Sequence, residues 1–315
     1  MSREPGREPW TPAATRDLAR QARARGVRVS LDEPLARYTS MGVGGPAALL
    51  LWPHTVEDMV ALTGWLGTRR LPWRILGGGS NLLVADTGVP DAVVHTGRLL
   101  ADEEWRDDSV RVAAGTPMAQ ALRRAVEHGR DGLVWAAGLP GSIGGAAAGN
   151  AGCWDSDMAR SVVELEIVDG HGRWHCVAGE QLDWSYRRLD LPVRLPRPLA
   201  ICSVSIATAT ADSGQLKQRY LGLQERKRAR QPVGARNSGC VFRNPGGTRT
   251  AGQLLEEAGC KGLRVNDAQV STMHANFVVN RGAARCHDVL ALIERMRQRV
   301  FERSGLTLRQ EIRQW

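Results

Sequence analysis

The chain has 315 residues, 43% of them hydrophobic, with 42 Lys and Arg against 33 Asp and Glu, for a formal net charge of +9. This is too long for one ordinary domain and apolar enough to fold, so two or three compact units are expected. The basic excess fits solvated arginine on helix surfaces or ligands bearing diphosphates; no basic run interleaved with aromatics supports a nucleic-acid interface, and no run of about eighteen apolar residues supports a membrane span.

The six cysteines, Cys153, Cys176, Cys202, Cys240, Cys260 and Cys286, lie far apart with no CxxC pair, which argues against a zinc site or redox dithiol and for reduced thiols. Met1 to Thr11 is polar and lacks the apolar core of a signal peptide, so a soluble cytoplasmic protein is expected.

After a disordered start, Ala13 to Arg25 reads as a helix stopped by Gly26. Ala48 to Trp52 reads as a strand, Thr55 as the N-cap of a helix reaching about Gly67, and Trp73 to Leu76 as a second strand. That strand runs into Gly77-Gly78-Gly79-Ser80-Asn81, followed by short strands at Leu82 to Val84 and Ala92 to His95. Val110 to Ala114 is a strand and Met118 to His128 an amphipathic helix. Gly138 to Gly152 is so rich in glycine that no normal helix is expected there.

Val162 to Val168 and Arg173 to Val177 flank Asp169-Gly170-His171-Gly172 and predict a hairpin. Ile201 to Ala209 predicts another strand. From about Gly214 the composition shifts to a charged helix reaching Arg230, a segment around Cys240, a helix at Ala251 to Ala258, a strand at Phe277 to Val279, a long helix from His287 to Arg303 and a last strand at Leu306 to Ile312. A boundary near 211 is expected, with a smaller α+β domain behind it.

A glycine loop after a strand lets backbone N–H groups approach a phosphate, because glycine accepts positive φ and carries no side chain. The first loop is neither a GxGxxG opening a helix nor a GxxxxGKS loop, so the dinucleotide-fold and P-loop readings fail on context. Taken alone it is equally a tight turn. The second loop, Gly138-Leu139-Pro140-Gly141-Ser142-Ile143-Gly144-Gly145 and on to Asn150, repeats the chemistry some sixty residues later. The pair suits an extended dinucleotide, one loop at the diphosphate and the other at the ring system.

Gly78 to Val84 and Gly138 to Gly145 together resemble the FAD-binding region of the UDP-N-acetylenolpyruvoylglucosamine reductase family. Three C-terminal stretches follow that family's order: Ser238-Gly239-Cys240-Val241-Phe242-Arg243-Asn244-Pro245, Ala251 to Glu256, and Gln269 to Asn280. The resemblance runs from about Tyr38 to the end, and the spacing from Arg187 to Cys240 matches the shorter form, without an inserted tyrosine loop. It implies an α+β chain: a two-subdomain FAD-binding fold of the vanillyl-alcohol-oxidase-like (PCMH) type, then a smaller α+β substrate domain. The divisions are 1–37 as lead-in, 38–100 and 101–211 as the FAD subdomains, and 212–315 as the substrate domain.

The implied activity belongs to peptidoglycan precursor synthesis: reduction of UDP-N-acetylglucosamine enolpyruvate to UDP-N-acetylmuramate by a monomer holding FAD noncovalently, with NADPH as co-substrate. Hydride goes from flavin N5 to the vinyl carbon, and the negative charge that develops needs fixed donors and a proton source. The resemblance assigns Cys240, where the family usually has serine, as proton donor, Arg187 as the group holding the carboxylate, and Glu311 as the third catalytic residue, either sharing a proton or orienting Arg187. FAD contacts fall on Gly77, Gly78, Gly79, Ser80, Asn81, Leu82, Gly138, Pro140, Gly141, Ser142, Gly144, Gly145 and Asn150. Arg230 and Asn244 are expected at the UDP diphosphate.

Two positions depart from the pattern: Leu189 replaces a serine after Arg187, and Asn266 stands where glycine is common, which would reshape a substrate-side turn. His171 and His175 sit in a hairpin turn and its return strand, so no metal site is expected. His274 is expected to bond locally or to substrate. The alternatives are another flavin oxidoreductase of the same architecture, or a noncatalytic relative that binds flavin or a UDP-sugar.

Overall fold

The computed structural model describes residues 11–99, 103–191 and 194–315. The start of the lead-in and the expected division between 100 and 101 lie outside the described residues. Helix α1, Pro12–Arg23, is capped by Thr11 Oγ1 and ends before Gly26, whose φ of +79° permits the reversal. It packs Leu18, Ala19 and Ala22 into the first core.

That core is built on a four-stranded sheet in the order Arg28–Pro34, Pro46–Trp52, Val89–His95, Trp73–Leu76. The first pair is antiparallel and the others parallel. Helix α2, Val56–Thr68, closes the crossover; Thr55 is its N-cap as expected, and Asp58 completes a capping box. Strand Arg28–Pro34 escapes notice in the sequence because its polar residues give no alternation; as an edge strand it needs none.

The second sheet is wholly antiparallel, in the order Trp174–Ala178, Val162–Val168, Ala200–Ala207, Ser109–Ala113, Glu104–Trp105. The hairpin around Asp169 forms as expected, the fully buried Asp169 carboxylate accepting from the N–H groups of His171 and Arg173. His175 Nε2 lies 3.0 Å from the same carboxylate. Helix α3, Met118–Glu127, covers the sheet with Met118, Leu122 and Val126.

The expectation of no helix in the second glycine loop is overturned by α4, Ile143–Ala148. Ser142 Oγ caps it by accepting from Gly145 N at 3.3 Å. Its glycine is required by packing: a Cβ on Gly144 would stand 2.6 Å from that of Ala114. Close approach, which only glycine permits, outweighs low helix propensity here.

Helix α5, Ser213–Arg230, lays Leu216, Tyr220 and Leu223 on the second core. By packing, the third unit therefore begins after Arg230 and not at 211/212. Its antiparallel sheet runs Arg236–Cys240, Phe277–Asn280, Ala268–Val270, Arg264–Val265. Helices α6, Ala251–Glu257, and α7, Cys286–Ser304, cover it.

The expected last strand, Leu306 to Ile312, is also corrected. Gln310 makes one bridge to Phe242, and the paired strand is Arg313–Gln314, running parallel to Leu82–Leu83. The chain changes partner from the third unit to the first within three residues, so no continuous ladder forms. Glu311 occupies that crossing.

Candidate active site

The crossing places Glu311 between two elements. Its N–H donates to Val241 O at 2.8 Å, beside Cys240, and its carbonyl accepts from Asn81 Nδ2 of the first glycine loop at 3.4 Å. Its side chain is nearly buried and both carboxylate oxygens are engaged: Oε1 accepts from Arg187 Nε at 2.7 Å and Oε2 from Tyr186 Oη at 3.1 Å.

Tyr186 and Arg187 form the two-residue turn of a hairpin between Asp183–Ser185 and Arg188–Asp190. Arg187 adopts φ +59°, left-handed backbone that costs a non-glycine residue about 1 kcal/mol or more. The pairing with Glu311 helps hold it there and leaves the guanidinium NH2 groups without a protein acceptor among the described residues. Leu189, opposite Trp184 in this hairpin, packs on the second core, so the missing serine is replaced by an apolar anchor.

Cys240 ends its strand at a register shift opposite Phe277. Gly239, at φ +75°, lies within that shift, inside strand Arg236–Cys240. Burial above all, and then the negative charge of Glu311, push the Cys240 thiol up to about 11, against the opposing charges of Arg187 and Lys227. It is therefore a protonated thiol at neutral pH. Asn276, buried, clamps Phe242, two residues after Cys240, accepting from Phe242 N at 2.9 Å and donating to Phe242 O at 2.8 Å.

The two glycine loops interlock. A Cβ on Gly78 would lie 2.6 Å from Gly141 Cα, one on Gly77 would lie 2.9 Å from Ser142 Oγ, and one on Gly79 would lie 1.9 Å from Tyr38 O. Ser80 Oγ donates to Pro140 O at 3.4 Å. Gly79, Gly138 and Gly141 all have positive φ. The N–H groups of Gly78, Gly79 and Ser80 find no protein acceptor among the described residues, an arrangement suited to a diphosphate.

Not every expected contact is free for a ligand. Leu82 is buried in the strand beside Arg313. Ser142 caps α4, and Gly145 donates to that cap. The Asn150 side chain is spent within the protein, donating to Ser185 O at 3.2 Å and accepting from Ala159 N at 3.1 Å. It thus ties the second loop to the hairpin carrying Arg187. Asn244 is exposed, but its Oδ1 accepts from Ala251 N at 3.0 Å and starts α6. Arg230 is exposed at the end of α5 with no ion-pair partner among the described residues.

Asn266 supplies φ +46° in a turn where glycine is common, and its Nδ2 donates to Asp288 Oδ1 at 2.7 Å. The turn is thereby tied to the start of α7. His274 Nδ1 faces Asn276 N at 3.2 Å, a local bond.

Three site residues have no assigned role in the sequence reading: Tyr186, Asn276 and Lys227. Lys227, with only 7% of its surface exposed, lies across the second loop, its Cδ 2.6 Å from where a Cβ on Gly138 would be. Helical spacing could have found it, since Leu216, Tyr220, Leu223 and Lys227 fall on one stripe of α5.

Residues 46–177 match a family model described as FAD binding domain, and residues 231–315 one described as UDP-N-acetylenolpyruvoylglucosamine reductase, C-terminal domain. The chain is 40% identical to the UDP-N-acetylenolpyruvoylglucosamine reductase of Heliobacterium modesticaldum over 90% of this chain and 89% of that one. It is 39% identical to that of Desulfosudis oleivorans over 90% and 94%. Among solved structures, the UDP-N-acetylenolpyruvylglucosamine reductase of Thermus caldophilus superposes with a TM-score of 0.77 at 34% identity, covering 92% of this chain and 98% of that one.

Proposed function

The chain belongs to the UDP-N-acetylenolpyruvoylglucosamine reductase family, and from that premise we propose that it reduces UDP-N-acetylglucosamine enolpyruvate to UDP-N-acetylmuramate with FAD and NADPH. The observation that carries the reading is the meeting of Arg187 and Glu311, from distant parts of the chain, beside the segment that begins at Cys240.

FAD would be held at the interlocked glycine loops, where the free N–H groups of Gly78, Gly79 and Ser80 would serve its diphosphate. When bound, it supplies the hydride that NADPH delivers to it. The protein's own residues do the rest. The free NH2 groups of Arg187 hold the enolpyruvyl carboxylate through a planar fork. As charge develops on the carbon next to that carboxylate, the same cation stabilises it, a contribution of about 3 kcal/mol for one well-placed donor.

Glu311 acts as the orienter of Arg187, because both its oxygens already accept hydrogen bonds from Arg187 and Tyr186. Cys240 gives its proton to the carbon bearing the carboxylate. Arg230 at the end of α5 and the unused amide of Asn244 serve the UDP diphosphate. Incubation of the protein with FAD, NADPH and the enolpyruvyl ether, followed by mass spectrometry of the nucleotide sugar, tests this. A product heavier by two hydrogens is expected; unchanged substrate with intact bound flavin would refute the reading.

A further inference from the structure

Glu311 is attached to each of the three units by a different group. Its N–H donates to Val241 O of the third unit at 2.8 Å, its carboxylate accepts from Tyr186 and Arg187 of the second, and its carbonyl accepts from Asn81 Nδ2 of the first at 3.4 Å. Among the described residues no other group of the first unit bonds to Glu311. The chain on either side keeps to one unit. Arg309 O accepts from Arg243 N at 2.9 Å, whereas Arg313 N donates to Asn81 O at 3.1 Å and Trp315 N to Leu83 O at 3.0 Å. Asn81 thus grips the crossing twice, by its side-chain amide at residue 311 and by its own carbonyl at residue 313.

Asn81 also closes the first glycine loop, where sequence placed it at the cofactor. The neighbouring hydroxyl, Ser80 Oγ, goes to Pro140 O in the second loop, whereas the Asn81 amide goes to the C-terminal crossing. We infer that the Asn81 side chain is a positioning residue for Glu311, and that a flavin seated on the loop strengthens its hold.

Asn81 is exposed and its bond to Glu311 is long, so water competes for the amide and the net worth of the contact is small. A ligand lying on the loop excludes that water, and a hydrogen bond shielded from water is stronger. Fixing the carbonyl of residue 311 fixes the direction in which its carboxylate leaves the chain. That direction places the 2.7 Å contact to Arg187 Nε and helps hold the left-handed backbone of Arg187. The loop and the guanidinium fork belong to different units, and this one amide links them.

The inference rests on Glu311 orienting Arg187 in the reductase reading, so its test includes a readout that needs no turnover. Hydrogen exchange of the segment 308–315 is followed by peptide mass spectrometry in the full-length protein, with and without saturating FAD. FAD is expected to slow exchange there several-fold in the parent and markedly less in Asn81→Ala; equal protection of the segment in both proteins would overturn the inference. In flavin-loaded protein, Asn81→Ala should slow reoxidation by the enolpyruvyl substrate about fivefold to tenfold more than reduction by NADPH, the net worth of one hydrogen bond. The same substitution should cost nothing further in a Glu311→Ala background, because its effect passes through that carboxylate. A full additional loss in the Glu311→Ala protein would make Asn81 a cofactor contact alone and overturn the inference. Failure of the reductase reading itself would show as no substrate reduction in any variant, with the exchange contrast intact.

Discussion

Arg187 Nε donates to Glu311 Oε1 across 2.7 Å although 124 positions separate the two residues. The contact fixes the strained Arg187 turn and joins the second unit to the C-terminal crossing. Glu311→Gln keeps the shape and removes the charge. Substrate reduction is expected to fall by about 10² to 10³, the cost of misplacing one transition-state donor, while NADPH reduces the bound flavin at an unchanged rate. Stopped-flow measurement of the two half-reactions separates them; equal slowing of both would show that Glu311 serves folding and not Arg187.

Cys240→Ala should still bind FAD and oxidise NADPH, with substrate reduction lower by about 10² to 10⁴, the range for a lost general acid. Cys240→Ser should keep part of the activity. Unimpaired turnover of Cys240→Ala would remove the thiol from the chemistry.

The glycine loops make a prediction about binding. Gly79→Ala puts a Cβ onto Tyr38 O in left-handed backbone and should cost about 1–3 kcal/mol together with loss of flavin, read by melting and visible absorbance. Ser80→Ala removes only a long hydrogen bond to Pro140 O and should retain flavin. Retention of flavin and stability by Gly79→Ala would refute the loop packing.

His95 gives the pH dependence. Burial, and then the charge of Arg98, lower its pKa from 6.5 to about 4, and its ring lies among Tyr38 and Trp52. Because the folded value is depressed, its contribution is complete above pH 6.5 and lost as pH falls toward 4, an effect of about 3 kcal/mol at most. His95→Gln should therefore be less stable than the parent at pH 7.5 but nearly level with it at pH 4.5, by urea unfolding. A stability gap that does not change with pH would show that His95 is not held neutral.

The sequence made the periodic elements legible. The Thr55–Asp58 cap, the Asp169 hairpin and the stripe of α3 all follow from local chemistry. The features it hid depend on partners distant in the chain. Arg28–Pro34 is a strand because Pro46–Trp52 is beside it, α4 tolerates glycine because Ala114 presses on it, and Glu311 leaves the expected strand because its neighbours pair with two different units.

The same division holds for the site. Cys240, Arg187 and Glu311 stood out by family motif, whereas Asn150 was expected at the cofactor and instead spends its side chain on the hairpin of Arg187. Lys227 was concealed among the arginines of a charged helix, where only its position on the buried stripe distinguishes it.

The most direct measurement is anaerobic reduction of the flavin-loaded protein by NADPH, followed by rapid mixing with UDP-N-acetylglucosamine enolpyruvate while flavin absorbance near 450 nm is recorded. Prompt return of the oxidised spectrum with formation of UDP-N-acetylmuramate is predicted. A reduced flavin that persists in the presence of that substrate would contradict the proposed activity.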